Sequence, residues 1–75
     1  MTNDFKEVVI LQRTDIGSVA ERVKALMKHS VLLAPGPADP AEVKANIMLA
    51  YRHLEDARMR LGKVLQAYEG PTANH

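Results

Sequence analysis

Seventy-five residues make one domain, and a chain this short buries only about 60% of the surface that its unfolded form exposes. The absence of cysteine excludes disulfide support. Ten Lys and Arg against nine Asp and Glu give a formal charge of +1, which excludes the strongly basic footprint of a duplex-binding protein. A structural zinc site is not expected either, because His29, His53 and His75 are not spaced as paired ligands. Partner subunits are the remaining means of support. Met1-Thr2-Asn3-Asp4 lacks the basic-then-apolar order of a signal peptide. No apolar run approaches the roughly 20 residues of a membrane span, so a soluble, intracellular protein is expected.

Residues 1–14 carry the run Val8-Val9-Ile10-Leu11. Its β-branched side chains argue against a long helix, and the segment reads as an extended arm or one short helix. An apolar run this short must pack onto the helices or onto a neighbouring subunit. A helix is expected from Ile16 to Ala34, capped by Thr14 or Asp15. Ile16, Val19, Val23, Leu26 and Met27 share one face at three- and four-residue steps. Gly17 then falls in the first turn, and Pro35-Gly36-Pro37 is a hard stop.

The clearest local signal comes next. Asp39 is placed as an N-cap, Pro40 as the first helical residue and Glu42 as the third member of a capping box. Nothing interrupts the pattern before Gly70-Pro71 except Gly62. The spacing predicts a helix of about 29 residues, roughly 44 Å long. Ile47, Ala50, Tyr51, Leu54, Ala57, Leu61, Val64, Leu65 and Tyr68 form its seam. Residues 71–75 read as a frayed tail. The fold class is therefore all-α: a helical hairpin over residues 15–70 preceded by the arm. A first helix of about 29 Å is too short to cover the seam, so Leu61, Val64 and Leu65 would be exposed and the hairpin is expected to self-associate.

No set of residues for catalysis emerges, and no cofactor is expected. There is no Gly-rich phosphate loop, and the adjacent Glu55 and Asp56 point about 100° apart on a helix. They are expected to pair with Arg52, Arg58 or Arg60. His29 and His53 read as surface or packing residues. The cations are more informative. Arg52, Arg58, Arg60 and Lys63 crowd the second half of the long helix, Lys24 and Lys28 are i,i+4 neighbours, and Lys44 lies near a helix start. Each can be simply solvated. In a symmetric oligomer, however, a repeated cation near an axis needs an anion, and small phosphate-bearing ligands suit a near-neutral chain.

The run Ala50-Tyr51-Arg52-His53-Leu54-Glu55-Asp56-Ala57-Arg58-Met59-Arg60-Leu61-Gly62-Lys63-Val64-Leu65-Gln66-Ala67-Tyr68-Glu69-Gly70 resembles the hairpin domain of phage anti-CBASS sponge proteins. Arg22-Val23-Lys24-Ala25-Leu26 is similar to that family's first long helix. The likeness spans about residues 15–70. A related hairpin occurs in the Thoeris anti-defence sponges, which are longer and carry β-structure. The resemblance implies a compact hexamer in the cytoplasm of an infected bacterial host. It would sequester cyclic dinucleotides such as cyclic GMP–AMP, and cyclic trinucleotides at separate sites, without cleaving them. It also implies residue roles: Lys24 on the dinucleotide phosphates with Lys28 nearby, and Phe5 in place of the family's N-terminal tyrosine on a base. Lys44, with Arg52 as a second candidate, matches the family's threefold-axis cation. The alternative is an oligomeric protein-interaction module, favoured by Met48 and Met59 if they are exposed. A nucleic-acid module is weaker, because Glu55 and Asp56 offset Arg58 and Arg60.

Overall fold

The computed structural model describes residues 4–33 and 36–70. Their elements are α1 (Asp4–Ala25), two single 3₁₀ turns (Leu26–Lys28 and Ser30–Leu32) and α2 (Pro40–Glu69). Among the described residues there is no strand, so the chain is all-helical with two helices, as a hairpin requires.

The start of α2 follows from its cap. The Asp39 carboxylate accepts from the Glu42 backbone N–H at 3.1 Å, and Pro40 opens the first turn. Only this half of the capping box is present as expected. The Glu42 carboxylate instead accepts from Asn46 Nδ2 at 3.0 Å. Gly70 ends the helix at φ +81°, a conformation that suits glycine, and its N–H bonds Gln66 O at 2.9 Å. Asp39→Ala is expected to lower stability by about 1 kcal/mol, measured by urea denaturation.

The first helix differs from expectation at both ends. It runs from Asp4 through residues 8–15 without a break, so the described part of the expected arm is helical and no start at Thr14 or Asp15 is present; residues 1–3 lie outside the described residues. Tertiary packing overrides β-branched propensity here. Val9 lies against α2 and is only 4% exposed. The Thr14 hydroxyl, expected as a cap, donates to Ile10 O at 3.1 Å as an interior helical threonine does. At the other end the α-helix stops at Ala25 and not at Ala34. Immediately after the first 3₁₀ turn the backbone changes course, because His29 is extended and its Nδ1 accepts from the Val31 N–H at 3.1 Å. That local bond competes with helix continuation. Ala34, Pro35 and the expected tail at 71–75 lie outside the described residues.

The two helices run antiparallel. Phe5 meets Tyr68, with ring centroids 5.0 Å apart, and Lys6 pairs with Glu69. At the far end Lys24 lies over Tyr51. The face of α1 turned to α2 carries Val9, Arg13, Ile16, Ala20 and Val23, alternating four- and three-residue steps, and Met27 of the first 3₁₀ turn continues it. Ala20 is fully buried between the helices. Val19 and Leu26, expected on this face, lie beside it and are exposed.

The longer α1 changes the argument for self-association. Its 22 residues span about 33 Å, and its N-terminal half lies alongside Leu61, Val64 and Leu65, which are half-buried rather than exposed. The seam is thus covered at this end, but Ala50, Ala57 and Tyr68, expected in it, lie beside it and are exposed. What the hairpin lacks is breadth: among the described residues only Val9 and Ala20 are buried.

Two glycines occupy helix interiors, where each costs about 1 kcal/mol relative to alanine. Gly17 is in the middle of α1, not in its first turn. A Cβ there would stand 3.6 Å from the Arg58 guanidinium, and one at Gly62 would stand 3.4 Å from that of Arg13. Each arginine crosses the seam to lie over the other helix's glycine. The contact at Gly17 is ordinary van der Waals distance to a flexible side chain. Gly17→Ala is therefore expected to raise stability by about 0.5–1 kcal/mol, read as a higher urea midpoint at unchanged slope.

Candidate functional site

The seam divides the outer surface of the hairpin into two flanks. One joins Phe5, Val8, Val19 and Leu26 of the first helical segment to Val43, Ala50, Ala57 and Tyr68 of α2. The other carries most of the cross-helix polar contacts. There Arg13 Nε donates to Arg58 O at 3.1 Å across the helices, and within α2 Arg58 pairs with Glu55 at 3.6 Å, as the charge pattern predicts.

Lys24 belongs to this polar flank. It projects from the last turn of α1, and its Nζ is 5.2 Å from the centroid of the half-buried Tyr51 ring. The pairing is a cation–π contact worth about 0.5–1 kcal/mol at an exposed site. Lys44 precedes Tyr51 by seven residues, two helical turns, and so falls on the same side of α2. A cation, an aromatic face and a second cation therefore lie along one flank near the loop end. The chemistry this offers is anion binding combined with stacking of a flat ring.

The other candidate residues are not gathered there. Phe5 and Lys24 are 19 residues apart in one helix, about 28 Å. They cannot hold the same small ligand within one chain, and Phe5 meets Tyr68 instead. Lys28 ends the first 3₁₀ turn, so it is not the α-helical i+4 neighbour of Lys24. Arg52 is exposed and about 12 Å along α2 from Lys44. The crowd of cations on α2 is divided: Arg58 turns to the seam, whereas Arg60 and Lys63 border an open hollow with His53 and Asp56 on the outer side. Met59 is exposed, but Met48 is half-buried, so the expected pair of surface methionines is reduced to one.

In the sequence Tyr51 reads as a seam residue, and nothing connects it with Lys24. Its neighbour comes from the other helix, and spacing along the chain gives no sign of the contact. The Arg13–Arg58 crossing was also missed, although two mid-helix glycines were its trace.

Among the described residues no group of three or more His, Asp or Glu side chains is placed to hold a metal ion, and no helix is long and apolar enough to cross a membrane. Compared with known proteins, the chain matches no family model, no curated protein and no solved structure.

Proposed function

We propose that this chain is a non-catalytic phage sponge that sequesters cyclic oligonucleotide second messengers and so blocks CBASS antiviral signalling. In this reading it works as a homohexamer of two trimers in the cytoplasm of the infected bacterial host. The observation that carries the reading is the Lys24 ammonium over the Tyr51 ring. The resemblance of residues 15–70 to anti-CBASS sponges supplies the ligand class.

Magnitudes give the binding step a direction. A lysine contact to a phosphodiester is a charge-assisted hydrogen bond worth about 1.5–3 kcal/mol. It exceeds the cation–π contact of about 0.5–1 kcal/mol at an exposed site. Lys24 therefore moves from the ring to the phosphate when a cyclic dinucleotide arrives. The uncovered face of Tyr51 can then stack a base, worth about 1–3 kcal/mol. Tyr51 thus takes the stacking role first given to Phe5, unless Phe5 is contributed by another copy. No bond is broken, and the ligand leaves as it came.

Titration calorimetry with cyclic GMP–AMP and a cyclic trinucleotide tests this. Lys24→Ala is expected to weaken dinucleotide binding by roughly tenfold to a hundredfold, the equivalent of the lost bond. Tyr51→Phe keeps the ring and should bind like the parent, whereas Tyr51→Leu should not. Lys44→Ala should weaken only the trinucleotide. Absence of heat with both ligands rejects the sponge reading and leaves the protein-interaction module, for which the exposed apolar flank and Met59 speak.

A further inference from the structure

We infer that the apolar flank of the hairpin is the surface on which a second copy of this chain docks, in antiparallel orientation about a twofold axis. The inference rests on packing alone and holds for any ligand.

Three observations select a second copy. The first is need. Two buried residues among those described make a marginal core for a hairpin of this length, and a small domain without disulfides or metal turns to subunit contacts. The second is extent. The molecule is 57 Å long and 17–20 Å across, so a whole long side is comparable with the about 800 Å² per partner of a standard interface. The third is shape. Val43, Ala50, Ala57 and Val64 recur every seven residues along α2, the repeat of a helix–helix seam. Their middle members are alanines, small enough for close approach.

The two ends of this flank are complementary. At one end Phe5, Val8 and Tyr68 project, and all three are about half exposed. At the other an open hollow is lined by Val23, Leu26, Val43, Asn46, Ile47 and Ala50. Glu42 stands at its rim, held by Asn46. An antiparallel pair brings the projection of each copy onto the hollow of the other, twice over, as an isologous contact demands. A parallel pair would set projection against projection and leave both hollows open. The polar flank with Lys24 and Tyr51 faces away from this contact.

The cysteine-free sequence makes the test clean. Val8→Cys and Ala50→Cys chains, both altered at exposed positions, are refolded together and treated with a short bis-maleimide. Circular dichroism checks that each is helical, and Ser18→Cys on the outer side of α1 serves as control. A cross-link between the Val8→Cys and Ala50→Cys chains, absent from either chain alone, is expected. Cross-linking of Val8→Cys with itself would mean parallel pairing and overturn the proposal. So would no cross-link at all, or a monomer mass for the parent protein by light scattering, which would leave the flank to an unrelated partner.

Discussion

Val9→Asp is expected to unfold the protein. Val9 is 4% exposed and one of two buried residues among those described. A carboxylate there would be buried without a partner, at a cost of several kcal/mol. The single core of so small a domain supplies no more than about 3–5 kcal/mol, so the folded state would be lost. Far-ultraviolet circular dichroism at 25 °C should show the helical signal collapse. Leu11→Asp is the control. Two residues further on, Leu11 is 63% exposed, and a charge there should change stability within about 0.5 kcal/mol. Equal behaviour of the two variants would mean that the seam has been assigned to the wrong face of α1.

Val19→Asp should act differently, by separating subunits. Val19 is 37% exposed in the single chain, so an aspartate at that position reaches water when the chain is alone. In the antiparallel pair it would be buried against the partner without a counter-charge. A loss of about 3–5 kcal/mol corresponds to an association constant lowered by roughly a hundredfold to several thousandfold. Sedimentation at micromolar concentration should then show the assembly replaced by monomer, whose melting no longer depends on protein concentration. An assembly of unchanged mass would place the interface elsewhere.

These two residues show how far the sequence could be read. The second helix was legible almost to the residue, because Asp39, Pro40 and Gly70 act through bonds to their immediate neighbours. The first helix was not. Its N-terminal half is helical through contacts with residues of α2 more than 40 positions away, which local propensity does not record. Apolar spacing located Ile16, Val23 and Met27 but not Ala20, since a small side chain carries little weight in such a pattern. It also could not admit Arg13 to the packed stripe, where the guanidinium reaches the Arg58 carbonyl over Gly62. The candidate site was legible only as single cations. Lys24 was singled out from the sequence, yet the ring beneath it was assigned to packing.

Sequestration without cleavage has one direct measure. The purified protein is incubated with cyclic GMP–AMP and a cyclic trinucleotide, freed of unbound ligand, and denatured by heat, and the released small molecules are identified by mass spectrometry. Both cyclic nucleotides are expected to return intact, with much less of the dinucleotide from Lys24→Ala. Recovery of no nucleotide, or of linear products heavier by one water, would contradict sequestration without cleavage.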